Sequence, residues 1–191
     1  MKLTNAEKLT LTMLADLHEK LEIDKVNTKL LKNAIYSNNT WALSWEMPGI
    51  VGDSQEPTPP AVTLVVDVLD MWTFIEEAYE GFDSAQKTQL ETEADSLGRY
   101  VEFSGFDGNN ESELMGIANF LVDEMKRFTR FAGRDLNSHS PVIDGYRRML
   151  EKFNAIRPNL LSRRLSVAEL AEVLNSFRHD DNNNMTLRDL V

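Results

Sequence analysis

One stretch constrains this chain more than any other. Thr58 and Pro59 supply an N-cap and a first helical turn whose missing amide costs nothing, and two apolar stripes follow between Ala61 and Tyr79. Val62, Val65, Leu69 and Trp72 form one stripe, and Leu64, Val68, Met71 and Ile75 form the other. A helix that is apolar on most sides must be surrounded by other elements. The expected fold is therefore all-α, an irregular bundle of about seven helices around a long central helix near 59–80. At 191 residues, a single domain over 1–191 is the expected organisation.

The other segments read as helices of the same bundle. Thr4 to Glu7 is a capping box, and Leu9, Leu11, Met13, Leu14, Leu17 and Leu21 carry a helix to about Leu21. A second helix runs from Asn27 through Leu30, Leu31, Ala34 and Ile35. Trp41 to Gly52 reads as a packed irregular segment, although alternation from Trp41 to Met47 also suits a short strand. After Gly81, Ser84 can cap a polar helix to about Ala94. Asn109 or Asn110 can cap a helix whose core stripe is Leu114, Ile117, Leu121, Met125 and Phe128, ended by Gly133. Ser140 with Pro141 opens another, stopped by Pro158. Ser166 to Glu169 is a second capping box, and it opens the last helix. The stretch 179–191 is expected to be a mobile polar tail.

Composition removes whole classes of chemistry. Without cysteine there are no disulfides, thiolate nucleophiles or thiolate-held metals, and a reducing, cytoplasmic setting is expected. The chain opens with Met1, Lys2, Leu3, Thr4, Asn5, Ala6 and Glu7, which is no secretory leader, and its most apolar segment is broken by Asp67 and Asp70. No membrane role is expected. A net charge of −11 opposes a phosphate backbone, so nucleic acid is not an expected partner. The one contrary feature is a basic run from Lys126 to Arg164, with ten basic residues against three acids. Pairing with acidic residues of the same chain, within one copy or between copies, is its simplest use.

Several ordered stretches resemble the YfbU family of bacterial proteins. They are Leu3 to Glu7, Ala34 to Ser37 leading into Trp41 to Ile50, and Asp67 to Tyr79. The most specific are Gly105 to Glu111, Met115 to Ala118, Gly133 to His139 and Tyr146 to Leu150. The resemblance implies an all-α fold and a family without an agreed biochemical activity. It supplies no catalytic residues, and it departs after Phe177, where such proteins often stop.

Two polar loops are the candidate ligand sites. Asp107, Asn109, Asn110 and Glu111 place two carboxylates and two amides in front of a helix, and Arg134, Asp135, Asn137 and His139 join two helices. Arg134 could fork onto a phosphate or carboxylate, with His139 as an acid or base. Each loop also has a structural account, as a helix cap or an ion-paired turn. As a calcium loop the first fails, with Ser112 where glycine is needed and Ala118 where the bidentate glutamate belongs. Asp180, Asn182 and Asn184 fail the same test, because Met185 replaces the glycine. Asp67 and Asp70 share a helix face with Phe74 and Glu77 and are expected to meet arginines such as Arg127, Arg130 or Arg147, the alternative being that they line a pocket.

No metal site, no cofactor and no catalytic residue is expected. The sequence favours a regulatory or protein-interaction domain that self-associates, with Trp41, Trp45 and Met47 as the contact surface. The alternative is a small-molecule or nucleotide-binding enzyme whose two polar loops converge on one pocket.

Overall fold

Capping chemistry sets several helix starts in the computed structural model, which describes residues 2–23, 25–49, 57–160 and 163–178. Thr4 and Glu7 exchange the two hydrogen bonds of a capping box, as do Ser166 and Glu169. The same exchange opens the polar helix after Gly81, but Asp83 and Gln86 make it rather than Ser84. Asn27 caps the second helix through the amide of Leu30, at 3.0 Å. Nine α-helices occur among the described residues: α1 (Asn5–Lys20), α2 (Thr28–Tyr36), α3 (Trp41–Glu46), α4 (Pro60–Glu80), α5 (Ser84–Ala94), α6 (Ser96–Arg99), α7 (Ser112–Asn119), α8 (Ile143–Ile156) and α9 (Val167–Asn175). No strand is found among them, and the fold is all-α. The 179–191 tail, its Asp180 to Asn184 run and most of the 50–60 turn lie outside the described residues.

The long helix is α4, and both of its stripes are buried, through Val62, Val65, Leu69 and Trp72 and through Val68, Met71 and Ile75. Each such side chain removed from water contributes roughly 1.5–3 kcal/mol. The chain falls into two compact units, Met1–Val65 with Gly116–Gly133, and Val66–Met115 with Arg134–Val191.

In the first unit α1 packs on α2, and Lys32 reaches across to Glu19 at 2.7 Å and Asp16 at 3.2 Å. The aromatic segment is a short helix, α3, rather than an irregular or extended piece. Trp41, Ala42 and Leu43 are buried at its start, and the Trp41 indole donates to Asn39 Oδ1 at 3.0 Å. Trp41 also meets Phe120 and Trp45 edge-on, at 6.0 and 5.0 Å between ring centres.

The helix expected to run to Gly133 stops early. After α7 the chain widens into a π-turn over Phe120–Glu124, where the Met125 amide bonds the Phe120 carbonyl at 3.0 Å. Lys126 and Phe128 then adopt left-handed backbone, at φ 55° and 50°, which no regular helix accommodates.

The second unit is built around a cluster of rings that meet edge-on or tilted. Trp72, Phe103, Phe106, Tyr146 and Phe177 lie 5.7–6.0 Å apart in successive pairs. The α8 helix meets this cluster through Gly145, where any Cβ would fall 2.4 Å from the Phe177 ring. The C-terminal end of α9 is closed by Arg148, which donates to the carbonyls of Ser176 and Phe177.

Candidate functional site

All eight ligand candidates lie in the second unit, and its backbone brings their two loops together. The Phe106 amide donates to the Leu136 carbonyl at 3.0 Å and the Ser138 amide to the Phe106 carbonyl at 3.1 Å. This forms a parallel bridge between Phe106 and Asn137. Gly105, at φ 88°, permits the approach, because a Cβ there would sit 2.0 Å from the Leu136 carbonyl oxygen. The two motifs singled out in the sequence are thus neighbours in space.

Once joined, most of the buried polar groups of the loops are taken up by internal partners, and Asn137 links one loop to the other. Asn137 Oδ1 accepts from the amides of Gly108 and His139, both at 3.0 Å, and so holds one loop to the other. Buried Glu111 takes three backbone amides: Asp107 at 3.0 Å through one oxygen, Val142 and Ile143 at 2.8 Å through the other. Those last two amides open α8, whose own N-cap, Val142, has no side chain to offer. Glu111 therefore caps α8 across the loop, the role expected of Ser140, and its charge suits the positive helix end.

Buried Asp107 closes on its own turn, accepting from the Asn110 side chain and from the Asn109 amide at 3.1 Å. These bonds, the Asn110 one foremost, hold its carboxyl below the usual carboxylate range. Neither Asn109 nor Asn110 caps α7, which begins at Ser112.

Arg134 forks onto a carboxylate, as its chemistry suggested, but the carboxylate is internal. Its two terminal nitrogens meet the two oxygens of Glu76 at 2.7 and 2.9 Å, and Glu76 Oε1 also accepts the Phe103 amide at 2.9 Å. Glu76 is only 4% exposed. It is absent from the sequence-derived candidates, although a signal existed. The stripe Val62, Val65, Leu69, Trp72 reaches position 76 at its next step, so a carboxylate stands where an apolar residue belongs.

The groups left facing solvent are Asn109, Asn110, Asp135 and His139, with His139 Nε2 3.8 Å from Asp135 Oδ2. Below them, the Tyr146 hydroxyl lies 3.1 Å from Ser104 Oγ, and burial pushes its pKa up. Among the described residues no cluster of three or more histidines and carboxylates is placed to hold a metal ion.

The remaining candidates are distributed elsewhere. Asp70 pairs with Arg157 at 2.6 Å, rather than with Arg127, Arg130 or Arg147. The Arg157 guanidinium also lies over the rings of Phe74 and Phe153, 5.9 Å from each centre. Nearby Asp67 has its pKa raised by burial, against the pull of Arg157 and with the push of Asp70. Other members of the basic run meet acids too: Arg147 with Asp144, Lys152 with Glu172, and Arg163 with Glu169. In the first unit Trp41 is buried, Trp45 and Met47 are half-buried, and Arg127 covers the Trp45 ring while reaching Glu46 at 3.4 Å.

Among the described residues, an exposed apolar row lies on α1, whose residues the sequence marked as helical but not as a surface. On α1, Leu9, Met13, Leu17 and Leu21 recur every four residues with Leu14 beside them, and their exposure runs from 49% at Leu14 to 66% at Leu21. The opposite side of the helix carries the buried Ala15 and the half-buried Leu11 and Thr12. A helix with two apolar sides had the signal in its periodicity, but only packing tells which side is covered. No helix among the described residues is long and apolar enough to cross a membrane.

A family model described as the YfbU domain matches residues 1–176. A UPF0304 protein of the archaeon Methanocaldococcus jannaschii is 34% identical over 92 residues, which cover 46% of this chain and 51% of that relative. The chain thus spans about half the length of that relative.

Proposed function

The chain belongs to the YfbU family, and we propose that it is a regulatory protein-interaction domain of the cytoplasm, docking through the outer face of α1. The observation that carries this reading is the row Leu9, Met13, Leu17 and Leu21, with Leu14, each about half exposed or more. Scattered single apolar residues on a surface need no explanation, but five on one face of one helix mark an interaction surface. The absence of cysteine suits a reducing compartment. Trp45 and Met47, half-buried on and after α3, are a second contact candidate, whereas the buried Trp41 serves packing.

A photo-crosslinking residue placed at Leu17 in producing cells tests the reading. A covalent protein adduct is expected there and not at Glu113, an exposed polar position on α7. Lack of any adduct at Leu17 would sink it.

The convergence of the 107–111 and 134–139 loops is the one observation that favours a small-molecule or nucleotide-binding enzyme. That reading needs Asn109, Asp135 and His139 to do the binding, since Asp107, Glu111, Asn137 and Arg134 already hold internal partners. Resonance shifts confined to those three residues on adding nucleotides would support it, and an unchanged spectrum would remove it.

A further inference from the structure

The row on α1 has the form of a surface complementary to itself. Leu9, Met13, Leu17 and Leu21 make one ridge of residues four apart, which reads as apolar in either direction. Two such ridges interdigitate when helices cross at roughly −50°, the commonest helix packing in globular proteins. A two-fold axis through the middle of the ridge sets Met13 of each copy against Leu17 of the other, with Leu9 and Leu21 outside them.

Charge selects the same occupant. The chain carries −11 overall, yet residues 2–36 hold six lysines against five acids, a balance of +1 that leaves −12 for the remainder. The first helical hairpin is therefore where two copies of an acidic chain meet without mutual repulsion. Within that balance, Lys32 pairs with Asp16 and Glu19 at the edge of α1.

Size agrees. Five large apolar side chains at these exposures present on the order of 500 Å², the upper part of what a monomer leaves bare. Two copies would cover on the order of 1,000 Å², about the threshold for a specific interface. We infer that the chain forms a two-fold dimer through α1, with Met13 and Leu17 at its centre. This inference rests on the interaction reading above and names its partner, a second copy of this chain.

Sedimentation velocity on the full chain tests it. The expected result is a concentration-dependent dimer at micromolar concentration. Leu17→Glu is expected to weaken it at least a hundredfold, and Met13→Lys similarly, with helix content unchanged because both side chains face solvent in the single chain. Mixing the Met13→Lys and Leu17→Glu proteins is expected to restore a mixed dimer that neither forms alone, since each 13 faces a 17. A dimer indifferent to both substitutions would overturn the inference, as would failure of the mixture to pair. A chain that stays monomeric at millimolar concentration but crosslinks from Leu17 to another protein would overturn it and leave the interaction reading standing. A monomer with no adduct would remove both.

Discussion

Glu76 and Arg134 form a two-pronged ion pair at 2.7 and 2.9 Å, joining α4 to the loop that precedes α8 within the second unit. With Glu76 almost wholly buried, the pair's effect on stability depends on keeping both partners. Arg134→Ala, which removes the guanidinium from this buried carboxylate, is expected to cost about 3 kcal/mol by urea unfolding. Replacing both residues by methionine should recover most of that loss. Equal losses in the single and double variants would show that the pair acts otherwise.

Glu111 offers a sharper local readout. Its carboxylate holds the amides of Val142 and Ile143 at the start of α8, so Glu111→Ala leaves one buried and one half-buried donor without this acceptor. The expected cost is about 2–3 kcal/mol. Hydrogen exchange should accelerate first at Val142 and Ile143, while Ser140→Ala, removing the residue that looked like the cap, should change exchange there very little.

Gly105 is expected to tolerate no side chain. Its φ of 88° penalises any Cβ by about 1 kcal/mol, and the Cβ would also meet the Leu136 carbonyl at 2.0 Å. Gly105→Ala should separate the two loops, so that the Phe106 and Ser138 amides lose protection together. An alanine variant as stable as the parent by thermal unfolding would contradict this.

Acid sensitivity should be traceable to Glu169. Its carboxyl is pushed down to about 2 from an ordinary 4.5, first by the Arg163 guanidinium and then by the Ser166 amide and hydroxyl. A lowered folded-state pKa contributes stability that is complete above the ordinary value and lost as pH falls through the shifted one. Glu169 should therefore add acid sensitivity between pH 4.5 and about 2, and Glu169→Gln should flatten the stability profile across that window. A carboxyl resonance titrating near its ordinary value would refute the assignment.

Local signals were sufficient for much of this fold. The Thr4 and Ser166 capping boxes and the long α4 follow from interactions within one or two turns, which is why spacing alone locates them. The signals failed where distant segments intervene. Glu111 rather than Ser140 caps α8, because that carboxylate is brought near only by folding, and a π-turn over Phe120–Glu124 interrupts the helix expected to continue to Gly133. The candidate site divides in the same way. Asp107, Glu111, Arg134 and Asn137 were legible as a cluster of unusual polar residues, and their two loops do meet. Whether such groups face a ligand or each other depends on donors supplied by distant backbone, which no spacing encodes. The periodicity of α1 likewise shows two apolar sides, and only the packing of α2 against one of them leaves the Leu9 to Leu21 row bare.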